Sequence, residues 1–176
     1  MSEHIRYAWG TSSLGDFFAA VSDVGVVAFE FAERREDVEI VLRARFRGAI
    51  VTEEPASLVD IVGKLAGVVE HPAQDPGLTL DVRGTDYQLR VWDALRSIRA
   101  GETVTYGTIA AAMGTPRDAR DVTAAIAANT IAILIPCHRV VKKDGSVSGY
   151  RWGVKRKRTL LSREQSGAAF KLTEAA

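Results

Sequence analysis

The chain of 176 residues is 47% hydrophobic and 26% charged, and its formal net charge is +1. No apolar run reaches the roughly 18 residues of a membrane-spanning helix, residues 1–6 lack the apolar region of a signal peptide, and one cysteine cannot form an internal disulfide or a multi-thiolate zinc site. We therefore expect a cytoplasmic protein of one or two small domains, with no membrane partner, no metal and no cofactor.

Charge is distributed unevenly along the chain. Residues 1–80 contain 13 acidic and 7 basic side chains, whereas residues 117–163 contain 3 acidic and 11 basic ones. A basic surface confined to one part of a protein is typical of proteins that bind a phosphate backbone. A solvated charged surface without a partner is the alternative.

The first 80 residues predict a small α/β domain. Phe17 to Phe31 predict a β-hairpin whose turn contains Asp23 and Gly25. Two amphipathic helices should follow, the second beginning near Pro55. Their apolar positions are Val38, Val41, Leu42 and Phe46 in the first helix, and Leu58, Ile61, Val62, Leu65 and Val69 in the second.

Residues 71–77 contain two prolines and a glycine and form the predicted linker. Leu78 to Val82 are expected to form a last strand. Thr85 and Gln88 then have the spacing of a capping box, which predicts the start of a helix. The buried positions of that helix are expected to be Leu89, Trp92, Leu95 and Ile98.

Residues from Thr105 to Asn129 predict a helix, a tight turn and a second helix. Gly114 should end the first helix, and Thr115 should cap the second. Arg117 and Arg120 then lie near the N-terminal end of the second helix, where a recognition helix contacts nucleic acid. A helical hairpin with no DNA-binding role would show the same pattern, and this alternative remains open.

An aliphatic run from Ile131 to Ile135 ends at Pro136, and Cys137 and His138 follow immediately. A thiolate is favoured beside an imidazole and cationic groups, so this setting suits a nucleophile. The candidate neighbours are His138, Arg139, Lys142 and Lys143. The alternative is that Cys137 is a small core hydrophobe. Adjacent side chains on an extended strand point to opposite faces, so Cys137 and His138 can cooperate only if the chain bends, which Pro136 favours.

The C-terminal part predicts a turn at Asp144 and Gly145, a loop over residues 149–153, and a final helix from Val154 to about Gln165. That helix begins with four consecutive cations, Lys155 to Arg158, which cannot all face one partner, so some of them should be solvated. Residues 167–176 are expected to be a disordered tail.

Two segments resemble one known family. Pro136-Cys137-His138-Arg139-Val140 is similar to the active-site signature of the methylated-DNA–protein-cysteine methyltransferases, and Ser148-Gly149-Tyr150-Arg151-Trp152-Gly153 resembles the Ada-type bacterial branch. The resemblance extends from about Tyr7 to Glu164. It implies a ribonuclease-H-like α/β domain over residues 1–80 and a mostly α, winged helix-turn-helix-like domain over residues 81–166.

The resemblance also implies an activity. A monomer would transfer an alkyl group, once and irreversibly, from O6-alkylguanine and O4-alkylthymine in double-stranded DNA to Cys137. Two alternatives remain open: a non-catalytic sensor or regulator that binds alkyl lesions, and a hydrolase that uses Cys137, His138 and Glu164.

The family assigns roles to individual residues here. The implied catalytic residues are the nucleophile Cys137, its base His138, the His138 partner Glu164, the guanine donor Tyr106, and Asn129, which shapes the active-site turn. The implied DNA- or substrate-contacting residues are Tyr106, Gly107, Thr115, Arg120, Val140, Lys143, Tyr150 and Arg151. Arg120 matches the residue that fills the gap left by the rotated nucleotide. Asp121 departs from the small apolar residue that is common in the family and places a negative charge where DNA would bind.

Overall fold

The computed structural model of the protein describes residues 1–114, 119–147 and 149–175, and it describes side chains over the same ranges except at residues 119 and 166–175. The chain forms two compact units, one of Met1–Glu70 with Asp75–Val82, the other of His71–Gln74 with Arg83–Ala176. The predicted linker is therefore divided between the two units. In the described part of the chain, no helix is both long and apolar enough to cross a bilayer.

The first unit is built on a four-stranded sheet. Its strands are β1 (His4–Gly10), β2 (Phe17–Val21), β3 (Val26–Phe31) and β4 (Ile50–Glu53), and their order in the sheet is β3-β2-β1-β4. The predicted hairpin is confirmed, because β2 and β3 pair antiparallel with Phe17 opposite Phe31. Strand β1 pairs antiparallel with β2 and parallel with β4, and the sequence predicted neither β1 nor β4.

The two predicted helices are present, and they pack against this sheet. Helix α1 spans Arg35–Arg45, and α2 spans Val59–Glu70 after a 3-10 turn over Ala56–Leu58. Strand β4 follows β3 in the chain but pairs in parallel with β1. A tight turn cannot make such a crossover, and α1 provides it. Of the apolar positions that the sequence assigns to the first helix, Val41 is 41% exposed, and the buried positions of α1 are Val38 and Leu42.

Residues Leu78 to Val82 form less than the strand that we predicted. A single parallel bridge joins Val26 and Leu80, with the Val26 amide donating to the Thr79 carbonyl at 2.9 Å and the Asp81 amide donating to the Val26 carbonyl at 2.8 Å. These two hydrogen bonds around one bridge are too few to make a strand. The segment instead ties the end of the first unit to β3.

The second unit begins with α3 (Asp86–Arg96) and its predicted capping box. The Gln88 amide donates to Thr85 Oγ1 at 3.1 Å, and the Thr85 amide donates to Gln88 Oε1 at 3.0 Å. Trp92 is buried as predicted, and its Nε1 donates to the Ala125 carbonyl at 2.8 Å. Leu89 is 37% exposed, which corrects its predicted burial; Val91 is buried instead.

A helix pair follows in the predicted place. Helix α4 spans Tyr106–Ala112, α5 spans Ala119–Ala127, and α3 packs against both. Gly114 has φ +69°, a left-handed conformation that glycine adopts without strain, and α4 has ended before it. The predicted cap Thr115 and the predicted contact residue Arg117 lie outside the described residues.

The aliphatic run does not form an extended strand. Residues 132–134 form turns, with Ile133 at φ +66°, and Cys137–Arg139 form a 3-10 helix. Strands β5 (Val104–Thr105) and β6 (Val140–Val141) then pair in parallel. Helix α6 spans Val154–Ala175 and therefore continues beyond Gln165, where the sequence predicted its end; residues 166–175 contain no proline that would stop it.

Candidate active site

Cys137 lies at the start of the 3-10 helix, is 5% exposed, and opens into a pocket of about 250 Å³. The residues that line this pocket are Tyr106, Thr123, Ile126, Ala127, Cys137, Gly149, Tyr150 and Arg151. Helices α4 and α5 and the loop before α6 thus each supply part of the wall. Four of the predicted site residues, Tyr106, Cys137, Tyr150 and Arg151, meet here.

Asn129 holds the chain in the shape that presents the thiol. Its Oδ1 accepts from the Ile131 amide at 2.9 Å, and its Nδ2 lies 3.2 Å from the Ile131 carbonyl and 2.9 Å from the Ile135 carbonyl. The same Nδ2 lies 3.3 Å from Cys137 Sγ. The side chain is buried, so no water can replace these contacts readily. The bend that cooperation between Cys137 and His138 requires is therefore fixed by one amide.

Replacing Asn129 by alanine should lower the free energy of unfolding by about 3 kcal/mol, because several buried backbone groups lose their partner at once. Urea unfolding followed by circular dichroism measures this change. Thr130→Ala is the matched control, since Thr130 is the next residue in the chain and is only half-buried. Equal stability of the two variants would contradict the assigned structural role of the Asn129 amide.

A buried chain of polar groups lies behind the 3-10 helix. His138 Nε2 and Glu164 Oε1 are 2.7 Å apart, and both side chains are fully buried. Arg139 Nε lies 3.1 Å from each oxygen of Glu164, and Arg139 Nη2 lies 2.8 Å from Oε1. Arg139 Nη1 also donates to the Ile98 carbonyl at 2.7 Å. Arg139 therefore fixes the carboxylate that in turn orients His138.

The protonation states in this chain follow from its geometry. Burial opposes ionisation of Glu164, but the hydrogen bonds from His138 and Arg139 outweigh it and hold the Glu164 pKa below its ordinary 4.5. Burial lowers the His138 pKa below its ordinary 6.5, although Glu164 opposes this shift. An ionised carboxylate only accepts, so Nε2 carries the proton of neutral His138. Its Nδ1 is a buried acceptor with no hydrogen-bond partner among the described residues.

These pKa shifts predict a loss of stability in acid. The folded-state pKa values of both His138 and Glu164 are depressed, so the unfolded chain binds more protons on acidification. The His138 contribution is lost as the pH falls from 6.5, and the Glu164 contribution is lost as the pH falls from 4.5 through its folded pKa. Chemical denaturation between pH 8 and pH 2 should show both stages, and a His138→Gln variant should lack the first. The exposed His71→Gln control should retain both stages, and a wild-type stability that is flat from pH 7 to pH 5 would contradict the assignment.

Burial is also the largest influence on the pKa of the Cys137 thiol. It raises the pKa of Cys137 to about 11, while the hydrogen bond from Asn129 and the charges of Lys157 and Arg151 act in the opposite direction. The cations named from the sequence are not the ones that act. Arg139 faces Glu164, and Lys142 and Lys143 are exposed.

Lys157 is a site residue that sequence reasoning missed. It is 0% exposed, although it belongs to the run of four cations. Its Nζ donates to the Gly149 carbonyl at 3.1 Å and lies 5.9 Å from the centroid of the Tyr106 ring. Lys157 precedes Glu164 by two helical turns, so the two share one face of α6, and this spacing was the signal that could have identified it.

The other predicted contact residues are dispersed over the second unit. Tyr106, Gly107 and Lys143 line one open groove beside α4 and β6, so the structure brings these three together. Arg120 is exposed on α5, whereas Val140 is buried in β6 and can offer only backbone groups. The predicted contact residue Thr115 lies outside the described residues.

Several known proteins are similar to this chain in sequence and architecture. Residues 86–166 match the family model of the 6-O-methylguanine DNA methyltransferase DNA-binding domain. The chain is 41% identical over 162 residues to the bifunctional transcriptional activator and DNA repair enzyme Ada of Escherichia coli (strain K12), covering 91% of this chain and 45% of that protein. It therefore spans about half the length of the Ada proteins that it matches.

A methylated-DNA–protein-cysteine methyltransferase of Mycobacterium tuberculosis (strain H37Rv) is 43% identical over 122 residues, which is 69% of this chain and 74% of that protein. The crystal structure of Mycobacterium tuberculosis OGT in complex with DNA aligns with a TM-score of 0.75 and 34% identity, covering 92% of this chain and 93% of that one. The α/β first unit and helical second unit are thus those of the OGT fold. The chain belongs to the methylated-DNA–protein-cysteine methyltransferase family.

Proposed function

We propose that this protein repairs DNA by moving the alkyl group of O6-alkylguanine, and of O4-alkylthymine, onto Cys137 in a single irreversible event. One observation carries the proposal: the only cysteine of the chain faces a pocket, and His138 and Glu164 are buried behind it. We place the reaction in the bacterial cytoplasm, at the nucleoid, and expect the protein to act as a monomer.

The transfer is a displacement at carbon. The Cys137 thiolate attacks the alkyl carbon, the S–C bond forms, the C–O bond breaks, and its electron pair passes to the guanine oxygen. Neutral His138 has a buried, unprotonated Nδ1 that can take the thiol proton through a water, while Glu164 stabilises the imidazolium that results. The thioether product has no leaving group that another step on this chain could use, so each molecule reacts once.

The guanine must take up a proton as it leaves. Tyr106 lines the pocket with Cys137, and burial raises its pKa, so its hydroxyl is protonated at neutral pH and can donate to the ring. Backbone groups of Cys137, Val140 and Arg151 would contact the base edge. These contacts require a base rotated out of the duplex, because the reacting atom is otherwise enclosed in the stack.

The DNA-contacting surface belongs to the same proposal. We take the second unit to be a winged helix-turn-helix domain and the first to be a ribonuclease-H-like domain. Arg120 on α5 would occupy the gap left by the rotated base, since a planar cation stacks on bases and donates several hydrogen bonds. Lys143 and the backbone near Gly107 border the groove beside α4 and would contact phosphates.

Intact-mass spectrometry tests the function directly. The protein is mixed with excess duplex containing one O6-methylguanine, and we expect each molecule to gain the mass of one CH2 group, located at Cys137, and then to stop. The Cys137→Ser control should bind the same duplex without gaining mass. Binding without any gain in the wild type would identify a lesion sensor, and demethylation beyond one equivalent would identify a hydrolase-type catalyst.

The pocket also predicts a preference for small alkyl groups. Arg151 lines the pocket and its Nη1 lies 3.3 Å from the Ala127 carbonyl across it. Trp152 is not part of the lining but packs edge-on against Tyr150, with ring centroids 5.2 Å apart, and so restricts that wall indirectly. Benzylguanine in DNA should therefore react more slowly than methylguanine in single-turnover assays. Equal rates would contradict a narrow pocket.

A further inference from the structure

Lys157 places an ammonium group in a buried position of the second unit. Removing a charged lysine from water costs several kcal/mol, and burial lowers the Lys157 pKa. Two of the groups that it contacts, the Gly149 carbonyl and the Tyr106 ring, are neutral. Both of these neighbours line the pocket that contains Cys137. The ammonium thus lies directly behind the wall of the thiol pocket, and it does not line that pocket itself.

Cys137 is buried as well, in a site that opposes its ionised form. Its thiol is buried, and a thiolate in such a place is strongly disfavoured unless a positive charge accompanies it. Arg151 is exposed, so water screens its charge, whereas Lys157 is fully enclosed and its field is screened far less. The two buried groups are each costly alone as ions, and each reduces the cost of the other.

We propose that Lys157 is a positioning residue that supplies the counter-charge for the Cys137 thiolate, so that the reactive ion forms inside the closed pocket without the ammonium touching the substrate. This role rests on the methyl transfer proposed above. Its role differs from that of the base, since His138 removes the thiol proton, whereas Lys157 stabilises the charge that remains on sulfur.

The other titratable groups around Lys157 and Cys137 have pKa values outside the range from pH 7 to pH 10. His138 feels the Lys157 charge but has a pKa below 6.5, so it is neutral throughout the range from pH 7 to pH 10. Burial raises the pKa values of Tyr106 and Tyr150 above 10.0, and the Cys137 charge adds to both shifts. The remaining cation that acts on the thiol is Arg151.

Alkylation of Cys137 by iodoacetamide tests the inference without any DNA, and the single cysteine makes the reaction unambiguous. Below the pKa values of both groups, the logarithm of the wild-type rate should rise with unit slope as the pH increases. Once Lys157 loses its proton, the profile should flatten over about one pH unit, because the thiolate then loses its counter-charge. A wild-type profile that rises without this bend up to pH 10.5, the ordinary lysine pKa below which Lys157 must titrate, would overturn the proposal, and this readout needs no variant to fold.

Three substitutions of Lys157 separate the effect of its charge from the effect of its hydrogen bond to the Gly149 carbonyl. Lys157→Gln keeps a donor for the Gly149 carbonyl but removes the charge, Lys157→Met removes both, and Lys157→Arg keeps the charge. At pH 7, Gln and Met should each lower the alkylation rate about tenfold and abolish the bend, whereas Arg should retain it. The exposed Lys155→Gln, on the same helix, should match the wild type.

The outcomes distinguish this inference from the proposed function. A Lys157→Gln variant that folds like the wild type and alkylates at the wild-type rate would show that Lys157 only anchors the loop at Gly149. A wild-type protein that shows the bend but gains no methyl group from DNA would uphold the role of Lys157 in activating the thiol while rejecting the repair activity.

Discussion

Replacing Glu164 by glutamine is expected to lower the rate of methyl transfer at least about 100-fold and to destabilise the fold by about 3 kcal/mol. The amide keeps the shape of the carboxylate, so the effect comes from charge. His138 loses the anion that stabilises its protonated form, and its tautomer is no longer fixed, because an amide can donate as well as accept. Arg139 loses its three close contacts with a carboxylate while remaining buried.

Two measurements separate these effects. Single-turnover transfer from a methylguanine duplex reports the rate, and chemical denaturation reports the stability. The variant should also lose the lower stage of acid destabilisation, since the group that titrates there is gone. Glu102→Gln is the matched control, because Glu102 belongs to the same unit and is exposed. Transfer at the wild-type rate by a folded Glu164→Gln protein would remove Glu164 from the mechanism.

Features that depend on neighbouring residues were predictable from the sequence. The capping box at Thr85 and Gln88, the hairpin of β2 and β3, and the helix pair after Thr105 are each specified within a few residues, and the structure has all three. The need for a bend between Cys137 and His138 also followed from local geometry, and the 3-10 helix provides it.

Which residues of a helix are buried, and which distant strands pair, could not be predicted in the same way. Val41 and Leu89 fit the helical spacing, yet they lie at the margin of a buried face, where burial depends on what packs there. Strand β4 has only four residues, and its Ile50 is exposed. Its sequence therefore lacks the alternation of apolar and polar residues that predicts a strand.

The sequence also did not predict which cation lies near the active-site thiol. Proximity in sequence suggested that Arg139 would activate Cys137, but Arg139 binds a carboxylate supplied by α6. The buried cation near the thiol comes from Lys157, and its neighbours in sequence, Lys155 and Arg158, are exposed. A run of charges in a sequence does not reveal which of its members faces inward; only the register of the helix against the site decides it.

Replacing Tyr106 by phenylalanine should lower the rate of methyl transfer about 100-fold while leaving the fold and the affinity for DNA unchanged. The ring remains to fill the pocket wall and only the hydroxyl is lost. Because burial raises the Tyr106 pKa, the wild-type hydroxyl keeps its proton at neutral pH and can donate to the departing guanine. The rate should be measured under saturating methylguanine duplex, with the dissociation constant determined separately.

Iodoacetamide provides the control that isolates this role. Iodide leaves without a proton, so Tyr106→Phe should alkylate Cys137 at the wild-type rate even though it transfers methyl groups slowly. Glu164→Gln acts on the base that takes the thiol proton and Lys157→Gln on the charge of the thiolate, so neither substitution should spare the reaction with iodoacetamide in this way. If Tyr106→Phe slowed both reactions equally, the hydroxyl would act on the thiol, and the guanine would have to receive its proton from another group.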